Sequence, residues 1–206
     1  MLAAGLSRRF PPNKLLMPLG EKTVLGRVLE AVTDSRIAST VVVVGHDADR
    51  VRSLLKDYPC ISVFNPDYQK GMGYSVARGV EYIGEKFRPL SASAVLLCLG
   101  DEPFLSSGLI DSVIAASDPR EGKIVIPLYR GRRGHPAVFP FCLLKKSLDL
   151  IRKKGAREVI RLHPDKVKEL EIDSEAVVSD IDTRQDYRRH LAGLTRNRSR
   201  QENERN

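Results

Sequence analysis

Three continuous apolar runs along the chain predict strands of a buried β-sheet. They span Thr40–Gly45, Ser93–Gly100 and Lys123–Pro127, and they are rich in valine, leucine and isoleucine. A strand with apolar residues at nearly every position, instead of every second one, has both of its faces covered. We therefore expect these runs to lie inside a mostly parallel sheet with helices on both sides.

Between these runs, apolar residues recur at the three- and four-residue spacing of helices. In the first helical segment, Leu25, Val28, Leu29 and Val32 share one face. The alternation of strands and helices implies right-handed crossovers and a parallel sheet. We expect an α/β fold, a Rossmann-like three-layer sandwich with a mostly parallel sheet. The predicted helices span Thr23–Thr33, Asp49–Asp57, Tyr74–Ile83 and Leu105–Ala116.

The length of 206 residues and the hydrophobic content of 42% suit one large domain with a substantial core. We expect this domain to span residues 1–190. Residues 195–206 are basic and nearly free of apolar residues, so we expect them to form a disordered tail. The chain has no run of about 20 apolar residues and no secretory signal at its N-terminus. These features predict a cytoplasmic protein without a membrane partner.

The formal net charge of +8 raises the question of a nucleic-acid partner. The tail holds part of this charge but lacks the aromatic residues that stack on single-stranded bases, so we expect no nucleic-acid partner. Cys60, Cys98 and Cys142 are odd in number and widely spaced among apolar neighbours. This pattern favours reduced thiols in the core over disulfides or a zinc site.

The first residues of the chain form a small-residue, cation-rich segment that suits phosphate binding. Ala3, Ala4 and Gly5 have little or no side chain, so backbone N–H groups can approach a ligand closely, and Gly5 permits a positive φ where the chain turns. Ser7 adds a hydroxyl group, and Arg9 and Lys14 add positive charge for a triphosphate. Considered alone, the segment is equally well explained as an ordinary loop with solvated cations.

The candidate motifs follow the carboxyl ends of the predicted strands. The small-residue segment follows the first strand, Gly45 and His46 follow the second, and Gly100 and Asp101 end the run that begins at Ser93. In parallel sheets, ligands bind at this edge, where neighbouring crossovers diverge. Side chains that are far apart in the sequence are therefore expected to meet there.

The segment Leu2–Lys14, LAAGLSRRFPPNK, resembles the signature of the MobA-like nucleotidyltransferases, in particular the molybdenum cofactor cytidylyltransferases, whose pattern is LAAGxSxRMGxxK. Further segments agree in the same order, which is more specific than any single motif. The resemblance covers Leu2–Tyr187 and implies a fold of the nucleotide-diphospho-sugar transferase type. The other matching segments are Asn65 with Gly71–Ser75, Gly100–Pro103, Gly134–Pro136, Gly155–Arg157 and Asp180–Thr183.

The resemblance assigns Asp101 and Asp182 to a Mg²⁺ ion, with Asp180 as a neighbour of Asp182. Asp101 follows a buried-type apolar run, so its carboxylate would emerge at the tip of a strand. Mg²⁺ needs only one or two protein carboxylates besides phosphate oxygens. From the residues alone, Asp101 is equally well explained as the N-cap of the helix after Pro103.

The resemblance also assigns catalytic and nucleotide-binding residues. Arg9, Lys14 and Asp101 are the expected catalytic residues, and the two cations would balance phosphate charge as pyrophosphate leaves. Without the family, Gly71–Ser75 would be explained as a strand-to-helix turn that Ser75 caps. The expected nucleotide-binding residues are Leu2, Ala3, Ala4, Gly5, Ser7, Asn65, Gly71, Ser75 and Gly100.

The resemblance places Gly134, His135 and Pro136 beside the acceptor, where the nearby arginines would face the phosphate and pterin of molybdopterin. From the residues alone, a lone histidine in a turn is more often structural. The Ala3-Ala4 pair resembles the cytidylyl enzymes, so CTP is the expected nucleotide. The implied reaction transfers CMP from CTP to molybdopterin and releases pyrophosphate, and a molybdenum hydroxylase would receive the product.

Two other functions stay open. The same chemistry is compatible with GTP or with another phosphate acceptor such as a sugar phosphate, although Gly134–Pro136 and Gly155–Arg157 favour molybdopterin. A non-catalytic carrier of the molybdenum cofactor is the second alternative. The presence of Lys14, Asp101 and Asp182 argues against the carrier, because carrying a finished cofactor requires no metal-binding pair.

Two departures from the family pattern affect the first motif. Phe10, Pro11 and Pro12 stand where relatives have Met-Gly, and Pro11 fixes φ at about −65°, so the loop is expected to take a different path. Relatives also have several apolar residues before the first motif, whereas Met1 directly precedes Leu2 here. We expect either an unusually short first strand or a start codon that is set too late, and we favour the second.

Overall fold

The computed structural model describes the backbone of residues 1–10, 13–88 and 93–203, and the side chains of these ranges up to residue 193. Residues 89–92 and 204–206 lie outside the described part. Pro11 and Pro12 also lie outside it, so the predicted effect of Pro11 on the path of the loop stays a prediction.

Helices form where apolar residues share a face and a polar side chain caps the first turn. At the start of the first helix, the Thr23 hydroxyl accepts a hydrogen bond from the Gly26 N–H (3.0 Å). All the predicted helices are confirmed, with ends displaced by up to four residues. The helices are α1 (Val24–Thr33), α2 (Ala48–Leu55), α3 (Met72–Phe87), α4 (Ser107–Ala115), α5 (Phe141–Lys146), α6 (Leu148–Lys154), α7 (Ala156–Leu162) and α8 (Arg184–Asn203).

The apolar runs of the sequence form strands, and further short strands accompany them. In chain order, they are β1 (Leu2–Ala3), β2 (Pro18–Leu19), β3 (Lys22–Thr23), β4 (Val41–Val44), β5 (Ile61–Phe64), β6 (Ala94–Leu97), β7 (Ile124–Tyr129), β8 (Arg132–Arg133), β9 (Ala137–Pro140) and β10 (Val167–Glu171). Strands β2 and β3 form a separate antiparallel hairpin.

The main sheet has two parts that meet at β1. One part has the order β1-β4-β5, and its pairs are parallel. The other part has the order β10-β7-β9-β6, with β8 paired to β7. A parallel bridge between Leu2 and Leu99 connects the two parts, and β9 runs antiparallel to both of its neighbours. The structure therefore confirms the α/β class and the mostly parallel sheet.

Helices cover both faces of the main sheet, which gives three layers. On one face, α3, α5, α6 and α7 pack against Ile124 and Ile126 of β7. On the other face, α1 and α2 enclose Val42 and Val44 of β4, and α4 packs against Val125. Neighbouring residues of β7 thus point into opposite layers, which is why its apolar run has no alternation.

Strand β6 differs from its prediction. The run Ser93–Gly100 predicts a strand buried on both faces, but Ala94 is exposed and Val95, Leu96 and Leu97 are only partly buried. In contrast, all residues of β4 are buried. One edge of β6 pairs with β9, and no strand in the described part of the chain pairs with its other edge. The incomplete burial follows from this unpaired edge.

The cysteines are free thiols with different degrees of burial. Cys98 is buried, whereas Cys60 and Cys142 are half-buried. Burial raises the pKa of the Cys98 thiol to about 12, and burial also raises the pKa of Cys60. Both groups are therefore protonated at neutral pH.

The C-terminal helix α8 packs against the rest of the domain through Tyr187 and Leu191. The helix continues to Asn203, so it includes most of the segment that composition predicts to be disordered. The domain boundary at residue 190 stays a prediction. Within the described residues, no helix has both the length and the apolar character needed to span a membrane.

Candidate active site

The loop that follows β1, described at residues 4–10 and 13–14, is held by hydrogen bonds among its polar groups. The Ser7 hydroxyl donates to Asn13 Oδ1 (3.3 Å) and accepts from the Lys14 N–H (3.2 Å). Asn13 Oδ1 also accepts from the Leu15 N–H (3.1 Å) at the start of a 3₁₀ turn, Lys14–Leu16. These bonds fix the backbone from which the Lys14 side chain extends.

Two features of this loop differ from the sequence-based expectations. The positive φ predicted for Gly5 occurs at Ser7 instead, where φ is 47°. Asn13, which no motif singled out, is buried and caps the 3₁₀ turn. An asparagine directly before a short turn is itself a signal, because its side-chain oxygen accepts from a backbone N–H two residues later.

Phe10 anchors the loop next to the C-terminal part of the domain. Its ring is buried in a cluster with Ile181 and meets the Tyr187 ring edge-on, with the ring centroids 5.5 Å apart. The Ile181 N–H donates to the Asp101 carbonyl (2.9 Å). Since Ile181 lies between Asp180 and Asp182 in the sequence, this bond places both aspartates near Asp101.

A lysine and two aspartates form the centre of the site. Lys14 Nζ lies 2.6 Å from Asp101 Oδ2 and 2.8 Å from Asp182 Oδ1, and Arg9 Nη2 lies 2.8 Å from Asp182 Oδ2. Burial disfavours the charge on Lys14, but attraction to Asp101 and Asp182 outweighs it, so the pKa of Lys14 is raised. The hydrogen bond from Lys14 lowers the pKa of Asp182. Lys14 and Asp182 are therefore both charged at neutral pH.

Three carboxylates of the site lie close enough to ligate one metal ion. Oxygens of Asp101, Asp180 and Asp182 are within 4.8 Å of one another. Carboxylate oxygens are preferred ligands of Mg²⁺ and Mn²⁺, and two of these carboxylates already contact a positive charge, the Lys14 ammonium. Burial and the two neighbouring carboxylates raise the pKa of Asp180, and a cation would relieve that repulsion.

The alternative explanation of Asp101 as a helix N-cap is wrong. Helix α4 begins at Ser107, and the Ser106 hydroxyl caps it by accepting from the Leu109 N–H (3.2 Å). Asp101 lies five residues before this cap, and its carboxylate contacts Lys14. The Asp101 side chain is thus free of any capping role in α4.

A cavity of about 300 Å³ lies beside the cluster, and Lys14 and Asp101 form part of its wall. The wall also contains most of the residues that the sequence assigns to nucleotide binding. These are Leu2, Ala4, Gly5, Ser7, Gly71 and Ser75.

Ser75 lies within α3 and does not cap it, contrary to the explanation considered from the residues alone. The helix begins at Met72, and its N-cap is Gly71, whose φ of 123° favours glycine. Asn65 is buried behind the cavity, and its Nδ2 donates to Ser75 Oγ (3.0 Å). Asn65 therefore does not line the cavity but holds the Ser75 hydroxyl group, which does.

Three further predicted residues also lie outside the cavity wall. Ala3 is buried in the core. Gly100 lies against the backbone of Leu2, where a Cβ would be 2.9 Å from the Leu2 oxygen. Arg9 contacts Asp182, and its side chain is 73% exposed. Gly100 and Ala3 thus support the wall from behind, and Arg9 lies at its outer edge.

Other residues of the wall were not predicted from the sequence. Tyr68 packs closely over Gly45, where a Cβ would lie 2.5 Å from the Tyr68 Cβ. A glycine at the end of a predicted strand signals such a close approach. The additional wall residues are Leu6, Arg8, Leu15, Tyr68, Gln69, Met72 and Leu99.

The predicted acceptor segment, Gly134–Pro136, lies next to Glu102. His135 Nδ1 is 3.0 Å from Glu102 Oε1, and the His135 N–H donates to the Val177 carbonyl (2.8 Å). A Cβ on Gly134 would lie 1.9 Å from the same carbonyl, so only glycine fits there. Because Glu102 directly follows Asp101, this contact joins the segment to the carboxylate cluster.

Burial raises the pKa of Glu102, which is a further residue that the sequence did not predict. Burial disfavours the charged form of His135, but Glu102 outweighs this effect and raises the pKa of His135. Among the nearby arginines, Arg133 forms an ion pair with Glu169 (2.7 Å) on β10. The Arg133 charge is therefore already balanced within the sheet.

At one sheet edge, this Rossmann-like α/β domain has a cavity, a cationic loop and clustered carboxylates, an arrangement that suits a nucleotidyltransferase. The chain belongs to the family of the MobA-like NTP transferase domain, whose model matches residues 1–168.

Two curated relatives match the chain over different shares of its length. The chain is 32% identical over 129 residues to the bifunctional protein GlmU of Thermobifida fusca, a match covering 61% of this chain and 26% of that protein. The chain thus spans about a quarter of the length of the GlmU relatives that it matches. It is 27% identical over 192 residues to nicotine blue oxidoreductase of Paenarthrobacter nicotinovorans, covering 89% of this chain and 90% of that protein.

Solved structures share the whole fold. A homologue of Mycobacterium tuberculosis Rv0371c from Mycobacterium sp. strain JC1 is 28% identical, with a TM-score of 0.77 and coverage of 95% of this chain and 94% of that chain. The complex of M. tuberculosis Rv0371c with manganese is 25% identical, with a TM-score of 0.68 and coverage of 93% and 95%.

Proposed function

We propose that this protein transfers CMP from CTP to molybdopterin, with Mg²⁺ as its metal ion and pyrophosphate as the second product. The observation that carries the proposal is the cluster of Lys14, Asp101 and Asp182 beside the cavity. It combines a positive charge for phosphate groups with carboxylates for a divalent cation. The cavity volume of about 300 Å³ is within the range of small-molecule sites.

In the proposed reaction, a terminal phosphate oxygen of molybdopterin attacks the α-phosphorus of CTP. A new P–O bond forms, the bond from the α-phosphorus to the oxygen that bridges to the β-phosphate breaks, and pyrophosphate leaves with the electron pair. The attacking phosphate is already anionic, so no general base is required. Catalysis then depends on alignment and on stabilisation of charge, which cations and backbone N–H groups provide.

Asp101 and Asp182 would hold the Mg²⁺ ion, with Asp180 within ligand distance of them. The ion would neutralise charge on the phosphate oxygens. The Lys14 ammonium contacts the same carboxylates, so a metal ion bound there would compete with it and would leave its long side chain free for phosphate groups. The manganese complex of M. tuberculosis Rv0371c supports a divalent metal in this fold.

The wall of the cavity supports nucleotide binding through backbone and apolar surfaces. Ala4 and Gly5 leave backbone N–H groups accessible to phosphates, and no atom lies within 4 Å of the position of a Cβ on Gly5. Tyr68 and Met72 add apolar surface for a base. CTP is favoured over GTP by the resemblance of the Ala3-Ala4 pair to the cytidylyl enzymes.

The acceptor would bind beside Gly134–Pro136, which contacts Glu102 next to the cluster. His135, whose pKa is raised by the Glu102 carboxylate that it contacts, would lie next to the acceptor phosphate. A molybdenum hydroxylase is the partner that would receive the cytosine dinucleotide form of the cofactor.

The test is an assay of pyrophosphate release with Mg²⁺ and each of the four NTPs, with and without molybdenum-loaded molybdopterin. We expect release with CTP only when the cofactor is present. Release with GTP would keep the chemistry but change the nucleotide. A folded protein that releases no pyrophosphate with any NTP would contradict the proposal, and binding of the finished cofactor by that protein would then identify a carrier.

A further inference from the structure

Helix α8 packs against the residues next to both members of an ion pair in the site. Phe10 follows Arg9 in the sequence and is buried in an apolar cluster. Ile181 precedes Asp182 and is buried in the same cluster, and Tyr187 of α8 packs against it. Arg9 and Asp182 are 173 residues apart, so their contact depends on this shared packing.

Two residues of α8 contact the Phe10 ring. The rings of Phe10 and Tyr187 meet at 83°, with their centroids 5.5 Å apart, and the Arg184 guanidinium lies 6.0 Å from the centroid of the Phe10 ring. The Tyr187 hydroxyl also donates to the carbonyl of Pro18 in β2. Edge-to-face pairs have a preferred geometry, so these contacts orient the Phe10 ring as well as bury it.

The start of α8 fixes the backbone directly after Asp182. The Thr183 N–H and hydroxyl donate to Asp186 Oδ2 (2.8 and 2.7 Å), and the Asp186 N–H donates to the Thr183 hydroxyl (3.2 Å). Reciprocal bonds of this kind close the first turn of a helix. The position of Asp182 therefore follows that of α8.

Helix α8 also contacts the segment that follows Asp101. The His190 ring lies against the Phe104 ring, with the centroids 4.2 Å apart. The Ile181 N–H, just before α8, donates to the Asp101 carbonyl (2.9 Å). The helix and its first turn thus contact the three chain segments that carry the charged side chains of the site.

The charged cluster requires such support because its carboxylates repel one another. Oxygens of Asp101, Asp180 and Asp182 lie within 4.8 Å of one another, and burial and this repulsion raise the pKa of Asp180. The ion pair of Arg9 with Asp182 is exposed on the Arg9 side, and exposed ion pairs contribute little stability. Apolar packing outside the cluster therefore determines where its charged groups lie.

We infer that Tyr187 is a positioning residue for the charged cluster and that it acts through the Phe10 ring. By holding Phe10 against α8, it keeps the loop with its cations beside Asp182. Tyr187 is not part of the wall of the nucleotide cavity, so its effect on ligands is indirect. The inference rests on the proposed function only in that the cations of the loop bind a triphosphate.

Hydrogen exchange of the Lys14 ammonium, followed by NMR, tests the position of the cluster without nucleotide or metal. In the parent protein, Lys14 Nζ lies 2.6 Å from Asp101 Oδ2 and 2.8 Å from Asp182 Oδ1, and these bonds slow exchange. Tyr187→Leu removes the ring and the hydroxyl but keeps apolar bulk. We expect exchange at least tenfold faster in this variant, whereas Tyr187→Phe, which keeps the ring pair, should match the parent.

Val159→Ala in α7 is the matched control, because Val159 is fully buried in a different cluster. It lowers stability without altering the contacts of α8, so exchange of the Lys14 ammonium should equal that of the parent. Unchanged exchange in Tyr187→Leu would overturn the inference. Equal acceleration in Val159→Ala would also overturn it, because general loss of stability would then explain the effect.

Phe10→Leu breaks the same ring pair from the side of the loop, so it replaces Tyr187→Leu if that variant does not fold. We expect the same acceleration in each single variant and in the double variant, because all three lose one contact. Accelerations that multiply in the double variant would contradict the action of Tyr187 through Phe10.

Calorimetric titration with CTP and Mg²⁺ separates this inference from the proposed function. We expect CTP affinity to fall about tenfold in Tyr187→Leu and to stay at the parent value in Tyr187→Phe. A parent protein that binds no CTP would contradict the proposed function. The positioning role of Tyr187 would still stand or fall on the exchange of the Lys14 ammonium.

Discussion

The Lys14 ammonium contacts the two proposed metal ligands and lies in the wall of the cavity proposed for the nucleotide. Its charge therefore affects both metal binding and phosphate binding. Its Nζ contacts Asp101 and Asp182, which are 81 residues apart in the sequence. The Ser7–Asn13 hydrogen bonds hold its backbone, so the ammonium position is set from both ends of the side chain. This arrangement makes opposite predictions for lysine and aspartate substitutions.

Asp101→Asn keeps the shape of the side chain but removes a carboxylate from the cluster. We expect Mn²⁺ affinity, measured by calorimetry, to fall at least tenfold and metal-dependent pyrophosphate release to fall at least a hundredfold. The circular dichroism spectrum should be unchanged. Asp49→Asn on α2, whose side chain is fully exposed, is the matched control. Retained metal affinity in the Asp101 variant would remove Asp101 from the metal site.

Lys14→Ala removes the positive charge that competes with a metal ion for Asp101 and Asp182. We expect Mn²⁺ affinity without nucleotide to increase and CTP affinity to decrease about tenfold, because the triphosphate loses a cation. Calorimetric titrations with each ligand measure both effects. Lys56→Ala, at an exposed lysine after α2, is the control. Unchanged affinity for both ligands would exclude Lys14 from the site.

At the scale of elements, local sequence signals predicted α1 well and α3 less well. The Thr23 cap and the apolar stripe of α1 are local features, so they are readable from neighbouring residues. The predicted start of α3 was wrong because serine is a common N-cap residue, which favoured Ser75. The N-cap is Gly71, whose backbone conformation begins the helix. The apolar run Ser93–Gly100 predicted a strand buried on both faces, but the residues of β6 are exposed or only partly buried, because burial depends on a neighbour in the sheet.

Gly73→Ala tests the junction between α3 and α6. A Cβ there would lie 2.1 Å from the Ile151 oxygen, so the helices must separate. We expect the free energy of unfolding to fall by about 1–3 kcal/mol, as for other overpacked sites. Denaturant unfolding measures it.

Gly108→Ala in the first turn of α4 is the control for this prediction, because no atom lies within 4 Å of its Cβ position. Alanine has the higher helix propensity, so this variant should be as stable as the parent or more stable by up to about 1 kcal/mol. Equal effects of the two substitutions would contradict the packing explanation.

At the scale of the whole molecule, the site is assembled from parts that only the fold brings together. The motifs predicted Lys14, Asp101 and Asp182 as site residues. Because ligands bind at the carboxyl ends of parallel strands, the sequence also predicted that side chains following those ends would meet. The bond from Ile181 to Asp101 and the contact of His135 with Glu102 join distant segments through tertiary packing. No periodicity or local motif contains that information.

Cys98 links the stability of the whole domain to alkaline pH, because it is buried where the two parts of the sheet meet. Its pKa is about 12 in the folded protein against an ordinary value of 9.0. Above pH 9, the unfolded chain loses the thiol proton while the folded chain keeps it. The stabilisation is complete below pH 9 and is lost as the pH rises toward 12.

We expect the free energy of unfolding to be about 1.4 kcal/mol lower at pH 10 than at pH 8 from this group alone, since one pKa unit corresponds to that energy. Urea unfolding at a series of pH values measures the slope. Cys98→Ala removes the ionisable group but leaves Cys60, whose raised pKa gives a residual slope of the same sign. The variant should therefore show a shallower decline above pH 9, and identical profiles for the two proteins would contradict the assignment to Cys98.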